Sequence, residues 1–161
     1  MLNLKVDHCL KIIFAISVIA IISAYFIEYI LGYQPCNLCL IERIPYGLSI
    51  ILITLNYFFK KNEKFIILLL ILTFFFSFAI SVYHLGIEQG LFEESAVCGL
   101  KNSTVIISKE ELLKQLQEKT VSCKDVTFRI FGLSLTSINI LLSLILITLL
   151  TKIFISYEKN K

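Results

Sequence analysis

Four runs of about twenty apolar residues govern what this chain can become, because a helix needs ~20 such residues to cross ~30 Å of hydrocarbon. They lie at about 10–31, 40–59, 65–87 and 130–151. Inside a bilayer every backbone N–H and C=O must be satisfied within the protein, and a helix satisfies them within the segment itself. The runs therefore predict an all-α integral membrane protein, a four-transmembrane-helix bundle in which residues 1–161 form a single membrane domain. With 57% hydrophobic and 17% charged residues, little chain remains for a separate soluble core. The first run is longer than the h-region of a cleaved secretion signal and no small-x-small site follows it, so it is read as a retained helix. There is no internal repeat and no low-complexity segment.

Lysines crowd alternate ends of these runs. Lys5 and Lys11 flank the start of the first, Lys60, Lys61 and Lys64 fill the turn between the second and third, and Lys152, Lys159 and Lys161 follow the fourth. Cytoplasmic loops hold the excess of Lys and Arg, so both termini are expected in the cytoplasm. The outer loops are then about 32–39 and 88–129, the second balancing six basic against seven acidic residues. Within it, Ser108 and Glu111 fit a capping box ahead of Leu112, Leu113 and Leu116, which predicts a short amphipathic helix. A lipid bilayer is the expected surroundings, and no nucleic acid partner is expected.

This topology sorts the five cysteines. Cys36, Cys39, Cys98 and Cys123 fall on the oxidising side, where disulfides persist, and Cys9 falls on the reducing side as an inert small hydrophobe. Four cysteines admit three pairings. Spacing favours Cys36 with Cys39 and leaves Cys98 with Cys123, while a cross-loop Cys36 to Cys123 bond stays open as the resting form. A Cys-x-x-Cys pair at a helix start has a lowered thiol pKa, which makes a nucleophilic thiolate available near neutral pH. Electron exchange where lipid meets water is the chemistry this suggests.

Other polar residues sit near that pair. Arg43 is four residues past Cys39, one turn deeper on the same helix face, where it either snorkels to headgroups or stabilises a thiolate and donates to a carbonyl. Pro45 is expected to kink the second span by freeing the carbonyl of Ile41. Glu42 is expected to favour the helix dipole or face headgroups, His84 to sit near the outer end of the third span either bonded to a headgroup or carbonyl or serving a proton or quinone, and Asn139 to bond across helices. Glu28, near the outer end of the first span, has no role that the sequence assigns.

Gln34-Pro35-Cys36-Asn37-Leu38-Cys39-Leu40-Ile41-Glu42-Arg43, then Cys98 and Cys123, then Phe128-Arg129-Ile130-Phe131-Gly132-Leu133, taken with the four spans, resemble the DsbB family of bacterial disulfide bond formation proteins over nearly the whole chain. The resemblance implies a quinone-dependent oxidoreductase of the bacterial inner membrane. Such a protein reoxidises a periplasmic DsbA-like partner of thioredoxin fold and passes its electrons to membrane quinone, ubiquinone or menaquinone. It also implies roles: Cys98 forms the mixed disulfide with the partner, Cys123 exchanges with Cys36, and Cys39 faces the quinone. Arg43 and His84, by their own chemistry and position, are the candidate quinone-binding residues. A dedicated partner in place of a general oxidase fits the same residues. Two other classes stand apart. One is a membrane scaffold whose disulfides only staple its loops. The other is a zinc site of four thiolates, which is disfavoured because 24 residues split the second pair and no histidine is near in sequence, so no metal is expected.

Overall fold

The computed structural model describes residues 2–59, 63–93, 98, 122–124, 128–130 and 132–159. Helix α1 covers Leu2–Tyr29, α2 Asn37–Ile41, α3 Ile44–Phe58 and α4 Glu63–Glu88. A hairpin of β1 (Arg129–Ile130) and β2 (Leu133–Ser134) then leads into α5, Leu135–Lys159. Among the described residues, four spans are long and apolar enough to cross a membrane: Val6–Tyr29, Asn37–Phe58, Glu63–Glu88 and Leu135–Ser156. The expected amphipathic helix after Ser108 lies outside the described residues.

Two expectations about the spans are corrected. The second span is not one kinked helix but two: α2 ends at Ile41, Glu42 and Arg43 form a turn, and α3 restarts with Pro45 in its first turn. A proline there loses no bond, since first-turn amides have no intrahelical partner. Glu42 and Arg43 keep right-handed backbone angles, so the axis carries on through the turn. The fourth span begins at Leu135, five residues after the expected start, because the chain reverses at Gly132, whose φ of +84° suits a residue without Cβ. Ser134 then accepts a hydrogen bond from the Ser137 amide at 3.3 Å, a side-chain cap that starts α5.

α4 packs along α5, α1 along α3, and α3 along α4, while α1 and α5 barely meet. That leaves a seam on one side of the bundle. Val6, Leu10, Ile13, Ile53, Ile67, Leu70, Phe74, Leu146 and Leu150 fill the core at one end. Ile19, Ile22, Phe75, Phe76, Leu144 and Ile145 point outward and stay exposed. An apolar belt of that extent suits lipid rather than water. The chain is a multi-pass membrane protein. Small hydroxyls hold the helices together between these layers: Ser49 donates to Ser17 at 2.8 Å and Ser143 to Ser77 at 3.2 Å.

Candidate functional site

At the end of the bundle away from that core, a second cluster gathers Cys36, Leu38, Ile87, Cys98 and Cys123, with Cys39, Ile41, Ile80 and Tyr83 against it. Local backbone explains the first pair. Pro35 holds the approach extended, and Cys36 becomes the N-cap of α2, its sulfur accepting from the Cys39 amide at 3.4 Å. One helical turn then brings the two sulfurs to 3.0 Å, a hydrogen-bonded dithiol. Cys123 reaches the same place from the distant loop, in hydrogen-bond contact with Cys98 and Cys36. Four cysteines separated by up to 87 positions thus share one buried patch.

The surroundings push these thiols apart in acidity. The hydrogen bond from the Cys39 thiol, and after it that from His84, lowers the Cys36 thiol from its ordinary value to about 4, against the opposing effect of burial. Cys123 moves upward, chiefly because it is buried and then because of its hydrogen bond with Cys98. The contrast makes Cys36 the sulfur that gives up its proton more readily and Cys123 the one that keeps it.

His84 is buried at 1% exposure, not turned to headgroups. Its Nε2 is 3.5 Å from the Cys36 sulfur. Its Nδ1 is 3.0 Å from Glu42 Oε1 and 3.3 Å from Thr136 Oγ1, and Thr136 gives its own proton to Glu88 at 2.5 Å. Both neighbours of Nδ1 therefore accept, which fixes a proton on Nδ1 and leaves Nε2 as the ring nitrogen that shares a proton with the Cys36 sulfur. Glu42 is buried as well, against the expectation of a headgroup contact, because His84 and the Asn139 amide at 3.2 Å satisfy its two oxygens. Asn139 spans helices as expected: it also donates to Ser81 at 2.7 Å and accepts from Tyr46.

Arg43 lies in the turn between α2 and α3. It donates to Glu28 Oε2 at 2.5 Å, and its guanidinium sits 5.2 Å from the Tyr25 ring centre. Glu28 thus has a structural role: α1 supplies both a carboxylate and an aromatic face to hold the one arginine of the second span. Arg43, Glu28, Cys36, Cys39, Cys123 and His84 all line a cavity of about 470 Å³. Its walls away from these polar groups are Ile16, Ile19, Ala20, Ile27, Ile138 and Leu142, from the two helices that barely meet. The cavity is of ligand size and has one polar end.

The disulfide bond formation protein DsbB family matches residues 7–153, a stretch that takes in nearly all of the four spans and all five cysteines. The chain belongs to the DsbB family. Membership points to disulfide-forming oxidoreductase chemistry for this membrane protein. An uncharacterized protein of Rickettsia prowazekii (strain Madrid E) is similar to this DsbB-family chain, 30% identical over 174 residues that cover 99% of each. No solved structure matches it.

Of the residues the sequence singles out, the structure brings Cys36, Cys39, Cys98, Cys123, Arg43 and His84 to one end of the bundle. Cys9 lies elsewhere, packed against the apolar core. Sequence reasoning missed Glu42, Glu88 and Thr136 as partners of His84. One signal was present: His84 and Glu88 stand at i, i+4, one face of one helix.

Proposed function

We propose that this DsbB-family chain is a quinone-dependent thiol oxidase that reoxidises a soluble DsbA-like partner of thioredoxin fold. Its cysteine end faces the periplasm and its lysine-rich ends face the cytoplasm. One observation carries the reading: Cys36 and Cys39 border an apolar cavity at the lipid seam while Cys123, in contact with Cys98, packs onto Cys36. A soluble protein does not enter hydrocarbon and a quinone tail does not leave it. Two coupled pairs are what join the two phases.

The steps follow from thiolate attack on disulfide sulfur. The partner's thiolate attacks Cys98 of the Cys98–Cys123 disulfide, and Cys123 departs as a thiolate. The partner's second thiol resolves the mixed disulfide, which leaves the partner oxidised and Cys98 reduced. Cys123 attacks Cys36 of the Cys36–Cys39 disulfide, and Cys39 is released as the thiolate. Cys98 then displaces Cys36 from Cys123, which restores the outer disulfide and leaves the inner pair holding the two electrons. The lowered pKa of Cys36 makes it the better leaving group in that last exchange. Nδ1-protonated His84, with Nε2 facing Cys36, can take the proton from that thiol, and Glu42 steadies the resulting imidazolium.

The cavity suits a quinone. Its apolar walls fit a ring and isoprenoid tail, the seam between α1 and α5 opens to lipid, and Arg43 offers a charged donor beside Cys39 at the polar end. A quinone held there by Arg43 would supply the acceptor for the two electrons and two protons of the reduced Cys36–Cys39 pair. Glu28 and Tyr25 hold the Arg43 guanidinium in one place before any ligand arrives. The test mixes purified chain with a reduced thioredoxin-fold oxidase and a soluble-tail quinone. Cysteine-dependent quinol formation, one per partner disulfide, is expected; none at any quinone concentration rejects the reading.

A further inference from the structure

Three soft ligand atoms converge in the cluster, and disulfide exchange does not require all three. Cys36 Sγ, Cys39 Sγ and the nitrogen of His84 lie within 4.8 Å of one another, and all three residues border the cavity. The geometry points to a Zn2+ site formed by Cys36, Cys39 and His84 in the reduced chain, with water in the fourth position on the cavity side.

Three features support it. Zinc bonds of ~2.3 Å to sulfur and ~2.0 Å to nitrogen in a tetrahedron set ligand separations of about 3.5 Å for S to N and about 3.8 Å for S to S. Cys36 and His84 are already at 3.5 Å, and the sulfurs, now at 3.0 Å, need only open by a rotation about their side-chain bonds. The second support is the ring itself. Zinc-binding histidines donate their other N–H to a carboxylate, which fixes the tautomer and raises basicity. Glu42 accepts from Nδ1 at 3.0 Å, so Nε2 is the ring nitrogen turned toward the sulfurs and free to become a ligand once its proton leaves. Finally, two thiolates and an imidazole are the donor set that selects zinc over magnesium or calcium.

Binding displaces whatever protons the two sulfurs and Nε2 still hold and moves no electrons. A Cys36–Cys39 disulfide has no thiolates to offer, so the site exists only after the inner pair is reduced. Zinc would hold that pair reduced and stall reoxidation, which links turnover to free metal at the membrane surface. Metal binding itself needs neither quinone nor partner, so it stands or fails apart from the proposed activity.

The experiment titrates Co2+, with Zn2+ as competitor, into purified chain reduced by a phosphine, and again after oxidation. One Co2+ per reduced chain is expected, with thiolate-to-cobalt charge-transfer absorption, displacement by Zn2+, and no signal from the oxidised chain. Exchanging Cys98 and Cys123 for serine leaves the signal. Cys39→Ser abolishes it, and Glu42→Gln weakens binding about 10- to 100-fold through the ring it orients. The proposal is overturned by a reduced chain that binds no more Co2+ than the oxidised one, or by a signal that survives Cys39→Ser. Equal affinity in His84→Ala overturns it too, since that describes a bare dithiol chelate. Comparing the two redox states of the unaltered chain keeps the test decisive even for a variant that folds poorly.

Discussion

The two halves of this bundle solve opposite problems with the same four helices. Toward the lysine-rich ends, the interior is aliphatic and aromatic, and its polar side chains are mainly hydroxyls bonded to their own helix or to each other. Toward the cysteines, the interior holds Glu42, His84, Glu88 and Asn139, each tied to another polar side chain. An ionisable group within the membrane costs roughly 2.5–3.5 kcal/mol on insertion scales, so a bundle optimised for stability alone would resemble the first half throughout. The second half retains charge and a cavity where the chemistry is proposed. Variants in each half should therefore fail in different ways.

Cys39→Ser and Cys98→Ser bring the largest change, complete loss of quinol formation with partner and quinone present. Each removes one end of the relay, Cys39 at the cavity and Cys98 at the partner. Helix content and thermal midpoint stay near those of the parent chain. Turnover in either variant refutes the two-pair relay, whatever the partner.

Phe74→Ala inverts that pattern. Phe74 is fully buried in the apolar half and meets Tyr46 edge-on with ring centres 5.9 Å apart. Its removal costs about 3–5 kcal/mol of stability. Denaturant or thermal unfolding in detergent measures this, and the fraction still folded turns over at the parent rate. A lost rate at full folding would merge the two halves into one functional unit.

Arg43→Met raises the KM for quinone about 10-fold or more and spares the exchange between cysteine pairs, as loss of a charge-assisted hydrogen bond of ~1.5–3 kcal/mol implies. Glu28→Gln has a smaller effect of the same kind, because the pair is partly exposed and such pairs contribute roughly 0.2–1 kcal/mol. Unchanged KM in both variants removes Arg43 from the cavity's ligand. In the reduced chain, alkylation mapped by mass spectrometry tests the acidity contrast. Cys36, at about 4, stays a thiolate as pH falls from 8 toward 5, so its labelling persists. Cys123, pushed upward, stays protonated through that window and labels slowly. Equal profiles for the two would show that their surroundings do not differ.

The sequence carried the spans well, since a run of twenty apolar residues in a bilayer has no alternative to helix. It also carried the redox pair, because Cys-x-x-Cys is read at a fixed local spacing. It misjudged Pro45, whose effect depends on whether the helix restarts before it, and it placed Ile130 in a helix that Gly132 prevents. Glu42 and Glu28 were misread or left without a role for a different reason. Glu42 bonds a residue 42 positions away and Arg43 one 15 positions back. No periodicity within one segment encodes which helices become neighbours.

The smallest effect tests the seam between the halves. Ser143 donates to Ser77 at 3.2 Å and also meets Tyr46, which bonds Asn139, which in turn bonds Glu42 beside His84. A chain of polar contacts thus runs from the apolar half to the sulfurs. Interhelical hydrogen bonds in membranes are worth about 0.6 kcal/mol on average, so Ser143→Ala should lower stability by about that much and leave turnover unchanged. Unfolding measurements and quinol formation on the same preparation decide the matter. A rate that drops several-fold at so small a stability cost would mean that Tyr46 and Asn139 orient Glu42, and that the functional half of the bundle extends one helical turn deeper than the cavity.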